Sequence, residues 1–270
     1  MRVLLGGHGY LGKAIERMFR DAGWEVVPVS LHGDDGAMPC DIADAAAVAA
    51  LPDVDCVVHC AASGRGGAEA YERVYRDGCQ NLVRRYPGLP LLFTSSTSVY
   101  AQTDGAEVNE ECITEPDRET GKILRAAEQI VLENGGAVAR LAGIYGPGRS
   151  VILEKFLTGA SVIEEDGRRL INQIHRDDAA SAVFHLVSQN LRGIFNVCDD
   201  APTSQLALHA GLARQFGKPL PPAGPRDPKR KRGWTHKRVS NAKLRATGWR
   251  PRFPSFLTAA EEIAATLPKP

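Results

Sequence analysis

The sequence has no Cys-x-x-Cys pair, no apolar run long enough to cross a membrane and almost no net charge, and each absence removes a class of function. Zinc sites need clustered Cys and His ligands. The six cysteines (Cys40, Cys56, Cys60, Cys79, Cys112, Cys198) stand apart, so no metal site is expected. They read as reduced thiols in or near a core. A bilayer-spanning helix takes roughly 20 apolar residues in a row, and none is present. A formal charge of +1 gives no overall pull toward nucleic acid or an acidic membrane. There is no internal repeat or low-complexity tract. Met1 to Leu5 runs straight into a strand with no leader pattern, so the expected compartment is the cytoplasm.

What is present is a globular composition, 43% hydrophobic and 24% charged over 270 residues, enough for one large domain or a domain with a smaller attachment. The first half alternates short apolar runs with helical periodicity, the pattern of a parallel sheet wrapped by helices. Strands are predicted over 2–5, 25–30, 54–60, 91–94, 137–141 and 194–197, and helices follow Gly12 and span 71–85 and 121–133. Pro28 fits its strand poorly, because it cannot donate to a ladder. The fold class is therefore α/β, a Rossmann-like doubly wound parallel sheet with a small C-terminal substrate-covering lobe. A cofactor domain is expected over 1–150, with 174–198 returning to it, and the lobe over 151–173 and 199–270.

Strand, then Gly6-Gly7-His8-Gly9-Tyr10-Leu11-Gly12, then helix, is the arrangement a dinucleotide needs. One glycine permits a tight turn, one lets backbone approach the pyrophosphate and one lets helix and strand pack closely, while the helix N-terminus offers N–H groups to phosphate. Gly6, Gly9, Tyr10, Leu11 and Gly12 are the expected cofactor-binding residues. An acid at the end of the second strand would select NAD. That strand ends at Ser30-Leu31-His32, with no carboxylate until Asp34. Ser30 and His32 could instead accommodate a 2′-phosphate, so the reading tilts to NADP, with NAD as the alternative.

These residues and others further on resemble a known family. GGHGYLG (6–12), CDIAD (40–44), VVHCAA (57–62), TSSTSVYA (94–101), RLAGIYGPGR (140–149) and IHRDD (174–178) occur in the order seen in extended short-chain dehydrogenase/reductases, the NAD-dependent epimerase/dehydratase proteins. GIFNV (193–197) and SNAKLRATGW (240–249) extend the resemblance over nearly the whole chain. It implies that Asp41 and Ile42 border the adenine, that Ala61, Ala62 and Ser63 line the cofactor cleft, and that Ser96 hydrogen-bonds the substrate oxygen.

One departure is severe. The family acid/base is a Tyr with a Lys four residues later, and no Tyr-x-x-x-Lys exists in this chain. Alignment with the family helix puts Thr120 at the Tyr position and Leu124 at the Lys position. A phenol of pKa about 10 can be tuned toward neutrality by a cation, whereas an aliphatic hydroxyl is far too weak an acid. Lys122 is two residues from the Lys position, roughly 200° around the helix.

Tyr75 and His175 are the candidates for a relocated proton donor. A packed aromatic and a structural histidine are the plainer readings of each. Arg65, Arg140 and Tyr145 are candidate substrate contacts, the arginines suiting an anionic substrate. The basic stretch 226–238 reads as a solvated loop, an anion clamp or, more remotely, a nucleic-acid contact. Two functions stand side by side. One is an NAD(P)-dependent oxidoreductase or epimerase-type enzyme acting on a small molecule with a non-standard proton donor; the other is a non-catalytic NAD(P)(H)-binding sensor. Helices of such folds commonly pair into homodimers, and the sequence leaves that open.

Overall fold

The computed structural model describes residues 1–64, 66–226 and 234–268. In chain order the elements begin β1 (Arg2–Gly6), α1 (Tyr10–Asp21), β2 (Glu25–Ser30), β3 (Met38–Pro39), α2 (Ala45–Ala49), β4 (Cys56–His59) and α3 (Ala68–Tyr71). A π-helical turn (Glu72–Asp77) leads into α4 (Gly78–Arg85). Then come β5 (Leu91–Ser96), a 3-10 turn (Thr97–Val99), β6 (Glu107–Val108), α5 (Glu119–Glu133), β7 (Ala137–Leu141), β8 (Gly143–Tyr145) and α6 (Val151–Leu157). The rest are β9 (Ile163–Glu164), β10 (Leu170–Ile171), β11 (Gln173–His175), α7 (Arg176–Ser188), β12 (Gly193–Val197), β13 (Thr203–Ser204), α8 (Gln205–Phe216), β14 (Ala223–Gly224), β15 (Arg238–Val239), α9 (Ala242–Ala246) and α10 (Phe256–Ala264).

Seven strands form one sheet in the order β12-β7-β5-β4-β1-β2-β3, and the pairings from β7 through to β3 are parallel. The order reverses between β1 and β4. In a doubly wound sheet, ligands bind at that reversal, outside the carboxyl ends of the strands. The strands are near-continuous apolar runs because both faces of such a sheet are covered: Val3, Leu4, Leu5, Val57, Val58 and Phe93 are almost fully buried.

Pro28 is accommodated after all. Val29 turns its carbonyl toward β1, accepting from Gly7 N–H, so Pro28 faces the other side, where β3 pairs only from Val29 onward. Its missing donor costs nothing there. β3 itself is two residues long and forms one edge of the sheet; at the other edge the Asn196 N–H of β12 is donated to the Glu110 carboxylate at 2.7 Å.

The chain divides into two compact units. The first comprises Met1–Tyr100, Ile113–Leu141 and Ala179–Phe195; the second comprises Ala101–Cys112, Ala142–Asp178 and Asn196–Pro270. The second holds short strand pairs, β8 with β11, β9 with β14, β10 with β13 and β6 with β15. Its apolar core includes Tyr145, Leu153, Phe156, Leu212, Phe256 and Ile263. At the start of α7, Asp178 accepts backbone N–H bonds from Arg252 and Phe253 at 2.8 and 2.9 Å, pinning the C-terminal segment to this unit.

Candidate active site and cofactor loop

The glycine loop assigns its work differently from the simple pattern. Gly7 has φ +119°, and a Cβ there would overlap the Ala61 backbone; a Cβ on Gly12 would overlap the Gly7 carbonyl. These two enforce the tight turn and the close helix–strand packing. Gly6 has ordinary room for a Cβ, so the steric need expected of it falls on its neighbour. Gly9, the N-cap of α1, faces open space and supplies no side-chain cap. An uncapped 12-residue helix leaves its first N–H groups for an anion. Cys60, at the end of β4, supports the loop from below through an S–H bond to the Gly7 carbonyl at 3.1 Å. Two packed glycines and one open position are what a pyrophosphate requires.

A feature the motif did not reveal lies inside the loop. His8, 8% exposed, meets Glu16 of α1 at 2.6 Å through Nε2, and Arg20 meets the same carboxylate at 2.8 Å. Burial would raise Glu16, and the bonds from His8 and Arg20 outweigh it and hold the carboxyl below its ordinary value. Beside the loop, Lys13 pairs with Asp35 at 2.5 Å. At the end of β2, Ser30 Oγ accepts from Gly33 N–H at 3.0 Å, and His32 is exposed.

Of the residues expected to line the cleft, Ala61 lies against Gly7, Ala62 is exposed, and Ser63 donates its N–H to the Tyr75 hydroxyl at 3.3 Å. Asp41 forms an ion pair with Arg73 at 2.7 Å. Ile42 is buried where a Cβ on Gly78 would meet it. Tyr10 is half-buried and Leu11 buried at the start of α1.

Ser96 ends β5, and its Oγ caps the following turn by accepting from Ser98 N–H at 3.2 Å. Thr120 is half-buried in the first turn of α5; Leu124 is 4% exposed, and Lys122 lies on the outside. Tyr75 sits in the π-helical turn, edge-on to Tyr71 with centroids 5.0 Å apart. α5 packs against that turn, against β5 and against the 3-10 turn, so Ser96, Thr120 and Tyr75 come from neighbouring elements of one unit.

Two expected substrate contacts are corrected. Arg140 is 1% exposed and bound on every side: to Glu128 at 2.8 and 3.0 Å and to the Tyr100 hydroxyl at 2.8 Å. Glu128, fully buried, also accepts from Ser95 Oγ at 2.6 Å and pairs with Arg125. Arg140 therefore anchors β7 to α5 and to both ends of the segment carrying Ser96. Tyr145 is 2% exposed in the core of the second unit, where burial pushes its phenol far above the usual range.

His175 is likewise a core residue of that unit. It is 1% exposed, its ring centroid lies 4.1 Å from that of Phe253 in a tilted contact, and it accepts from Asp177 N–H at 3.2 Å; burial lowers its pKa. Arg65 and residues 227–233 of the basic stretch lie outside the described residues. At the ends of that stretch, Arg226 stacks on Trp234 at 3.7 Å and pairs with Glu165 at 2.7 Å.

All six cysteines are free, and burial pushes the Cys56 and Cys60 thiols up to about 12. Among the described residues no group of three metal-ligating side chains occurs, and no helix is long and apolar enough to cross a membrane.

A doubly wound parallel sheet with a glycine loop at its reversal defines a nicotinamide-dinucleotide-binding fold. The chain belongs to the NAD-dependent epimerase/dehydratase family, whose profile matches residues 3–198. It is an NAD(P)-dependent protein of the oxidoreductase/epimerase class. It is 28% identical to a 3-diazoavenalumate denitrifying reductase from a Streptomyces species, over 95% of this chain and 98% of that one. Human epimerase family protein SDR39U1 (isoform 2), solved with NADPH, superposes with a TM-score of 0.82 at 20% identity, covering 99% of this chain and all (100%) of that one. UDP-glucose 4-epimerase of Thermus thermophilus, solved with NAD, gives 0.80 at 22% identity over 98% of each chain.

Proposed function

We propose that the chain is an NAD(P)H-dependent reductase of a small molecule whose reduction needs no tuned phenol, and that an aromatic diazo compound is the acceptor class that fits best. The observation that carries this is the pair Thr120 and Leu124. Thr120 has too weak a hydroxyl for acid catalysis, and Leu124 is buried with no charge to lend. Carbonyl reduction leaves an alkoxide that must be protonated, which makes the missing pair a serious loss.

An arenediazonium ion differs. Its carbon–hydrogen bond forms as the carbon–nitrogen bond breaks, and dinitrogen leaves with the bonding pair, so no proton is consumed. When bound, the reduced dinucleotide supplies the hydride and its two electrons. The likeness to a denitrifying reductase of a diazo compound supports the same class.

The chain's own residues then position the acceptor and exclude water. Ser96, held by its turn, keeps a hydroxyl proton to donate to a ring oxygen. Tyr75, whose oxygen is oriented by Ser63 N–H, offers a second donor, and Thr120 borders the site at the mouth of α5. The end of β2 lacks a carboxylate within Ser30-Leu31-His32, which favours NADPH over NADH.

The test is an anaerobic assay of purified protein with reduced cofactor against a 4-hydroxybenzenediazonium salt and a matched carbonyl panel. The expected result is one dinitrogen released per cofactor oxidised, with deuterium from 4-deuterated cofactor on the ring carbon. Ser96→Ala should slow it by about ten- to a hundredfold. Carbonyl turnover without diazo turnover would refute the acceptor class. No turnover at all, with affinities that differ between oxidised and reduced cofactor, would favour the sensor reading instead.

A further inference from the structure

The glycine loop normally meets phosphate with backbone alone, so a histidine inside it calls for an account. Glu16 is ionised at neutral pH and can only accept, so Nε2 of His8 carries the proton of their 2.6 Å bond. That leaves Nδ1 as the second polar atom of the ring. It is buried and has no hydrogen-bond partner among the described residues. The imidazole is 3% exposed, so solvent does not satisfy it. A buried polar atom without a partner is destabilising, and such an atom in a ligand loop is a place where ligand completes the structure.

His8 also lies between Gly7, which is closed by the Ala61 backbone, and Gly9, which opens onto free space at the N-terminus of α1. The charged groups around it are Glu16 and Lys13 on α1, Arg20 behind Glu16, and Asp35 from the loop after β2. Lys13 and Asp35 form one ion pair and Arg20 and Glu16 another, so of these groups only Glu16 bonds the imidazole directly.

We propose that His8, oriented by Glu16, is a proton-linked phosphate ligand of the cofactor, its Nδ1 taking up a proton on binding and donating it to an anionic oxygen of the bound dinucleotide. Cofactor capture would then take up a proton and tighten as pH falls. An opposite role, with neutral Nδ1 accepting from a ribose hydroxyl, would give the opposite slope. The phosphate could be the pyrophosphate shared by NAD and NADP or the 2′-phosphate of NADP, and two cofactors tell them apart. The inference rests on cofactor binding and not on the acceptor, so its failure leaves the diazo reading standing.

The experiment is calorimetric titration of the full chain with NAD⁺ and with NADP⁺ between pH 5.5 and 8.5, in two buffers of different ionisation enthalpy, for wild type, His8→Gln and Glu16→Gln. Gln at position 8 can still reach Glu16 but neither titrates nor presents a group at the Nδ1 position. Wild type is expected to lose about tenfold in affinity across this range and to bind with proton uptake. H8Q should show neither the His8-dependent slope nor the uptake, and E16Q should move the slope to lower pH. Loss of the slope for both cofactors assigns the pyrophosphate, and loss for NADP⁺ alone assigns the 2′-phosphate; either supports the proposal. Identical slopes and uptake in wild type and H8Q for both cofactors would overturn it, as would affinity rising with pH in a His8-dependent way. Thermal melts of each variant without cofactor separate a folding defect from a binding one.

Discussion

At the scale of single residues, the glycine loop makes a separable prediction. Gly7→Ala forces a Cβ into the Ala61 backbone and a side chain onto a positive φ, so it should lower stability by roughly 2–5 kcal/mol in urea unfolding. Gly9→Ala meets nothing in the protein and should change stability by less than about 0.5 kcal/mol. The same methyl would stand where a phosphate must approach, so cofactor affinity should fall by about tenfold or more in a fluorescence titration. Equal effects of the two variants on folding would contradict the division of roles.

The loop's existence was legible in the sequence because glycines cluster between an apolar strand and an amphipathic helix. Which glycine does what was not, since Gly6 and Gly7 differ only in what packs over them. The His8–Glu16 pair was hidden for a similar reason: its partners are eight residues apart, and only the geometry of the helix start shows that they touch. Arg140 misled because an arginine in a motif looks the same in one dimension whether it faces a ligand or a buried carboxylate.

At the scale of elements, the buried cluster around Glu128 binds strands to helix. Arg140→Met would leave Glu128 buried with one of its two arginines, and breaking such a pair costs about 3–5 kcal/mol. The loss should be visible in urea unfolding at neutral pH. Glu128→Gln with Arg140→Met together should recover part of it, because no uncompensated charge then stays inside. A double variant no better than the single would show that packing, not charge, sets the cost.

Element positions read well from the sequence where apolar periodicity was strong. β2 and β7 match the expected spans, and β5 runs two residues further, to Ser96. The helix expected over 71–85 begins earlier and contains the π-helical turn at Glu72–Asp77, which periodicity cannot show because a single wide turn barely disturbs the stripe. The short strand pairs of the second unit have too few residues to carry a pattern of their own.

At the scale of the whole molecule, two buried groups set opposing responses to pH. Burial pushes Asp199 up to about 7, helped by the Asp200 and Asp178 charges and opposed by the Ala201 N–H. Between about pH 4 and 7 the folded chain therefore keeps a proton that the unfolded chain has released, and stability falls as pH rises. Burial lowers His59 to about 4, so over about pH 4 to 6.5 the unfolded chain holds the extra proton and stability rises with pH.

Asp199→Asn removes the falling contribution. It keeps the bond from Ala201 and should gain about 1–3 kcal/mol over wild type at pH 8, with the gain vanishing near pH 4. Urea melts at several pH values check this, and a gain independent of pH would point to a different cause.

The short outer strand has a consequence for how copies of the chain meet. A sheet whose last strand is long and flat invites a neighbour to add a strand of its own, which is a route to runaway polymer. Here one border stops after two residues at Pro39, and at the other the Asn196 amide is already taken by a carboxylate. A two-residue border strand on one side and an occupied Asn196 amide on the other shorten the ladder that a neighbour could extend, so a symmetric pairing of this protein is expected to rest on side chains.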